Sequence, residues 1–113
     1  MGTTHRRTWQ KAEGRAAALF GARRAVLSGS SGRDDASRSD STHPTLFIET
    51  KLRETHAART LWDGTKALAR KEGKTPVLML ADKGRPGFLV CVHSDDLVEV
   101  FEAWQAAREE EGR

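Results

Sequence analysis

SDSTHPTLFIETKL, residues 39–52, is the stretch on which the fold turns. Its second half, Leu46 to Leu52, opens with the apolar run Leu46-Phe47-Ile48 and reads as a strand entering the interior. Side chains of a strand alternate between faces, so Glu49 and Lys51 project to the same side. A carboxylate and an ammonium this close to a core are costly unless they pair or meet a metal ion. A cross-face ion pair at a strand end satisfies the same spacing, and Glu-x-Lys occurs by chance in many proteins. Asp40 adds weight, because it lies in the polar loop that leads directly into the strand. If that loop folds back, Asp40 and Glu49 offer two hard oxygen ligands to a divalent cation. Asp34 and Asp35 compete for this role. Asp40 is preferred because Pro44 and the strand behind it limit the reach of more distant residues.

Toward the N-terminus, Thr8 to Phe20 reads as a helix. Trp9, Ala12, Ala16, Leu19 and Phe20 recur at helical spacing, Thr8 can cap the start and Gly21 can end it. Glu13 lies beside that apolar stripe, where a carboxylate wants a partner such as a metal centre or else reaches solvent. Ala25-Val26-Leu27 suits a short strand. Ser28 to Pro44, rich in Ser, Gly and Asp, is a loop, or a loop carrying a short edge strand.

Toward the C-terminus, a second helix is expected over Thr55 to Lys71, with Ala58, Leu61, Trp62, Thr65, Leu68 and Ala69 on one face and Gly73 as its stop. Thr75 to Ala81 and Phe88 to His93 are strands, joined through the turn Lys83 to Gly87 into a hairpin. Ser94-Asp95-Asp96 starts a last helix whose stripe is Leu97, Val100, Phe101, Trp104 and Ala107, ending near Glu110. The order helix, strand, loop, strand, helix, strand, strand, helix is α/β, with a single mixed sheet flanked by helices. A chain of 113 residues suits one domain over 1–113 with one core.

Composition excludes several classes. No apolar run approaches the roughly 18 residues of a membrane span, and the N-terminal cations have no apolar stretch behind them, so no secretory signal is expected. The single cysteine, Cys91, cannot form an internal disulfide or a Cys-rich zinc site, which fits a reducing cytoplasm. His5, His56 and His93 lack metal-ligand spacing, and His43 is a loop histidine next to the proposed centre. Gly29 and Gly32 are not followed by Gly-Lys-Ser/Thr, so a P-loop is not indicated. Net charge is +3, and Arg6, Arg7, Lys11, Arg15, Arg23 and Arg24 face one acid, Glu13, in the first 24 residues. A basic half beside an acidic centre suits a polyanion such as nucleic acid.

Taken together, Glu13 in the first helix, Ser28-Gly29, Ser39-Asp40 and Ile48-Glu49-Thr50-Lys51 resemble the PD-(D/E)xK nuclease superfamily. By length and element order the chain is similar to the archaeal-type and phage Holliday junction resolvases within it, over about Trp9 to His93. Ser39 stands where the motif's proline would precede Asp40. The resemblance implies a restriction-endonuclease-like core and a Mg²⁺-dependent endodeoxyribonuclease, with Mn²⁺ as substitute. It implies that Asp40, Glu49 and the backbone carbonyl of Thr50 bind the metal, with Glu13 binding directly or through water. Lys51 would position or help deprotonate the attacking water, and cleavage would leave a 5′-phosphate and a 3′-hydroxyl. The substrate would be branched DNA, the four-way junction of DNA recombination, cut by a homodimer because a symmetric junction needs two matched nicks. Ser28, Ser30, Arg33, Arg38 and Arg53 are the expected DNA contacts. A related nuclease for flaps, nicks or duplex ends, and a nucleic-acid-binding module that does not cut, are the alternatives.

Overall fold

The computed structural model describes residues 2–25 and 39–112. The expected strand residues Val26 and Leu27 lie outside them. So do Ser28, Ser30, Arg33, Asp34, Asp35 and Arg38. The described elements are three helices and a two-stranded antiparallel sheet, in two compact units, Met1–Glu54 and Thr55–Arg113. A mixed helix-and-sheet content agrees with α/β.

In the first unit, helix α1 spans Gly2–Leu19. It begins six residues before the expected Thr8, so Thr8 is inside the helix rather than at its start. Its end is as expected: Gly21 adopts φ 70°, a conformation that favours glycine. The Ala22 and Gly21 amides donate to the Ala17 and Ala18 carbonyls at 2.9 and 3.0 Å, closing a Schellman turn. The buried face differs from the expected stripe. Glu13 and Ala17 are buried, whereas Trp9, Leu19 and Phe20 are largely exposed.

After the turn, Arg24 bridges to Ser41 in antiparallel sense. The Ala25 amide donates to Asp40 O and the Thr42 amide to Arg23 O, both at 2.9 Å. Leu46 to Leu52, expected to be an interior strand, forms no regular strand, and Leu46, Phe47 and Leu52 are exposed. Its polar anchoring explains the difference: residues 48–50 are tied to residues 39–40 mainly through side chains rather than through a backbone ladder.

In the second unit, α2 spans Ala57–Glu72 and ends as α1 does. Gly73 sits at φ 65°, with Lys74 N donating to Ala69 O at 3.0 Å and Gly73 N to Arg70 O at 3.2 Å. Trp62 is the buried residue of its stripe, while Leu61 and Leu68 are exposed. Strands β1 (Leu78–Leu80) and β2 (Leu89–Cys91) pair antiparallel in the register Leu78 with Cys91 and Leu80 with Leu89. The hairpin is therefore where the sequence places it, but each strand is shorter. Arg85 N donates to Asp82 O at 3.1 Å, with Gly84 at φ 76° in the third turn position, which a type II turn requires.

A 3-10 turn, Ser94–Asp96, leads into α3, Leu97–Glu111. The cap at this start comes from His93, whose Nδ1 accepts the Asp95 amide at 3.1 Å. On α3, Phe101 and Trp104 stack with ring centroids 6.0 Å apart, and the Arg108 guanidinium lies 5.9 Å from the Trp104 ring. Among the described residues, no helix is long and apolar enough to cross a membrane.

Candidate active site

The first unit brings Asp40 against the Glu-x-Lys segment. Asp40 Oδ2 accepts the backbone amide of Thr50 at 2.8 Å, between the two residues whose chemistry is in question. Asp40 N in turn donates to Ile48 O at 3.0 Å. The loop therefore folds back onto the segment, and among the described residues Asp40 is the aspartate that meets it.

Ser39 ties this juncture together through its side chain. Its Oγ donates to Ile48 O and accepts from Ile48 N, each at 2.9 Å, and also accepts from Ser41 N at 3.2 Å. One hydroxyl thus satisfies both backbone groups of Ile48, as a neighbouring strand otherwise would. Ser41 and His43 continue the pattern along the loop. The Ser41 hydroxyl accepts from His43 N at 3.3 Å, and His43 Nδ1 accepts from Thr45 N and Leu46 N at 3.1 and 2.9 Å. Side chains substituting for backbone partners favour turns over ladders. His43 is accordingly a structural staple of the loop, with Nδ1 occupied as an acceptor. Ser39 and His43 carry no chemical motif. The available signal for Ser39 was its place immediately before the candidate aspartate.

Lys51 Nζ lies 3.0 Å from Glu49 Oε2, and both side chains are about half exposed. The same-face expectation for these two residues is met. The cost of burying them does not arise, because neither is buried. Lys51 and Arg53 line a cavity of about 220 Å³ with Trp9, Thr50 and Leu52. Two cations and an indole therefore border one hollow beside Asp40's contact.

Glu13 is placed differently from Asp40 and Glu49. It is buried, 5% exposed, and its Oε1 accepts from Arg24 Nε at 2.9 Å. A buried carboxylate on the edge of a core-facing stripe does have a partner, but that partner is a guanidinium eleven residues on. In the sequence, Arg24 stands out only as part of the basic N-terminal half. Among the described residues, no three His, Cys, Asp or Glu side chains are grouped to hold a metal ion.

The donor set nevertheless suits a hard cation. Asp40, Glu49 and the Thr50 carbonyl are all oxygen donors, and Mg²⁺ commonly takes one or two carboxylates while keeping water on its other positions. A further oxygen, Thr50 Oγ1, is buried there with no hydrogen-bond partner. No family model, curated protein or solved structure matches the chain.

Proposed function

We propose that the protein is a Mg²⁺-dependent endodeoxyribonuclease of restriction-endonuclease-like core, cutting branched DNA as a homodimer. The observation that supports this reading is the 2.8 Å bond from the Thr50 amide to Asp40 Oδ2, which ties the Asp40 carboxylate to the backbone between Glu49 and Lys51. A lone Glu-x-Lys is common.

Asp40 and Glu49, with the Thr50 carbonyl, would hold the Mg²⁺. When bound, that ion supplies Lewis-acid polarisation of the phosphate and charge neutralisation in the transition state. The remaining work falls to the chain. Lys51, an exposed ammonium beside Glu49, orients the attacking water and shields the charge gathering on the phosphoryl oxygens. Arg53, on the same cavity as Lys51, grips a flanking phosphate. Trp9 in that cavity offers a face against which a sugar or base can rest. Glu13 fixes Arg24, and through it the strand-like segment on which Ser41 and Asp40 are hung; its influence on the metal is indirect.

The test is cleavage of labelled four-way junction, flap, duplex and single-stranded DNA with Mg²⁺ or Mn²⁺. Paired symmetric nicks in the junction support the full reading. Cutting of flaps or linear ends alone moves the substrate to the related structure-specific nucleases. Binding without cutting, for wild type and Glu49→Gln alike, would leave a nucleic-acid-binding module. The Glu49–Lys51 ion pair at 3.0 Å is equally compatible with that second reading.

A further inference from the structure

A second charged cavity lies wholly within the second unit and shares no residue with the candidate active site. Its volume is about 480 Å³, inside the range of roughly 300–1,000 Å³ typical of small-molecule sites. Trp62, Lys66 and Arg70 stand four residues apart on α2 and line one side, continued by Lys74 beyond the Gly73 cap. His93, Asp95 and Asp96, at the start of the 3-10 turn, line the other.

The cations of this cavity are poorly compensated. Lys74 Nζ meets Glu72 at 3.2 Å, but Lys66 and Arg70 have no ion-pair partner among the described residues. Like charges at i,i+4 destabilise a helix. The C-terminal dipole of α2 offsets this for Arg70 and Lys71 in its last turn, but Lys66 lies a full turn earlier. An anion among the three would relieve the repulsion. The acidic side is arranged differently. His93 Nδ1 accepts the Asp95 amide at 3.1 Å and lies 3.6 Å from Asp95 Oδ2. Asp96 makes no cap hydrogen bond at the start of α3. This side therefore presents hydrogen-bond acceptors, while the α2 side presents cations.

We propose that this cavity binds a nucleotide, with its phosphate against Lys66, Arg70 and Lys74 and an amino-bearing base edge toward Asp95 and Asp96. A bare phosphate would use one side alone and leave most of the volume empty. Carboxylates accept from the exocyclic amine of cytosine, so the acidic side favours cytosine over thymine, which carries no such amine. That the nucleotide belongs to an unpaired stretch of a DNA strand rests on the nuclease reading. The nucleotide chemistry does not.

The experiment follows the Trp62 indole N–H resonance, assigned with Trp9→Phe and Trp104→Phe, as the protein is titrated with dCMP, dTMP, deoxycytidine and a dC tetranucleotide. Expected are a shift with dCMP, an affinity about tenfold or more above that for deoxycytidine, and loss of this margin in K66A/R70A. D95N/D96N should keep phosphate affinity and lose the preference for dCMP over dTMP. For junction DNA, the salt slope should fall by about two in K66A/R70A. A Trp62 resonance unmoved by every ligand, or equal dCMP affinity in K66A/R70A, overturns the proposal. Lost dCMP affinity with an unchanged DNA slope supports the cavity and overturns the DNA strand as its source. Far-UV circular dichroism checks the fold, and K66Q/R70Q repeats the test if helicity drops. Metal-dependent cutting is read on the same samples. A Trp62 response without cutting sinks the nuclease reading and leaves the cavity, whereas cutting without a Trp62 response does the reverse.

Discussion

The carboxylate of Asp40 holds the amide of Thr50 through Oδ2 at 2.8 Å, so one side chain both closes the loop and sits at the proposed metal centre. These two duties separate by substitution. Asp40→Asn keeps an oxygen for the Thr50 amide but loses the charge a cation needs. Asp40→Ala loses both. Both variants should lose Mg²⁺-dependent cleavage by at least about a hundredfold. Only the alanine variant should also lose stability, by about 1.5–3 kcal/mol, the worth of a hydrogen bond to a charged group. Plasmid nicking and urea unfolding read the two effects. Undiminished cleavage by Asp40→Asn would remove Asp40 from the centre and return attention to Asp34 or Asp35.

Lys51 makes the opposite prediction, because its ion pair with Glu49 is half exposed. Such pairs contribute about 0–1 kcal/mol, so Lys51→Ala should unfold within that margin of wild type. Its single-turnover rate on DNA should nonetheless collapse while DNA affinity holds. Lys51→Arg should restore little, since a guanidinium is larger and does not give up a proton. Wild-type turnover by Lys51→Ala would reduce the motif to a surface ion pair.

Ser39 is a prediction about architecture. Its hydroxyl makes three hydrogen bonds, two of them with Ile48. Ser39→Ala leaves the Ile48 amide and carbonyl without that partner, at a cost of about 1–3 kcal/mol. Hydrogen exchange at the Ile48 amide should accelerate markedly and that at Val90, in the hairpin of the other unit, should not. Equal protection of Ile48 in both proteins would show that its amide is held by something other than Ser39.

What the sequence made legible follows the range of each signal. Gly73, Gly84 and Gly21 are local stops that depend on backbone conformation, and each sits at positive φ where an end or turn was expected. Ser94-Asp95-Asp96 likewise marks the start of α3, although the cap comes from His93. The early start of α1 was hidden because Gly2 to Arg7 contains no apolar periodicity to read. Leu46-Phe47-Ile48 looked like interior strand because the run is apolar, yet Phe47 is 60% exposed. Its partner segment offers hydroxyls and a carboxylate rather than a continuous backbone edge, and no hydropathy pattern records that. At the site, the fold-back that brings Asp40 to Thr50 was an expectation from the place of Asp40 in a polar loop leading into the segment. The tie between Glu13 and Arg24 was not, because a helix end and a turn separate them.

That tie yields the last prediction. Glu13 is 5% exposed, and Arg24 keeps more solvent contact at 26%. Removing one partner of a buried pair strands the other charge, typically at about 3–5 kcal/mol. Arg24→Ala should approach the lower end of that range, since it leaves the carboxylate buried. Glu13→Gln should cost less, because a neutral amide oxygen still accepts from Nε and the arginine can turn outward. A double-mutant cycle of Glu13→Gln with Arg24→Ala should therefore show strong coupling, on the order of 1–3 kcal/mol. Mg²⁺ affinity, measured by calorimetry, discriminates the roles. If Glu13 acts only through Arg24, the two single variants weaken metal binding equally and the double variant no further. If Glu13 is itself a ligand, Glu13→Gln weakens it well beyond Arg24→Ala. That outcome would mean that the 2.9 Å pair opens when the ion arrives.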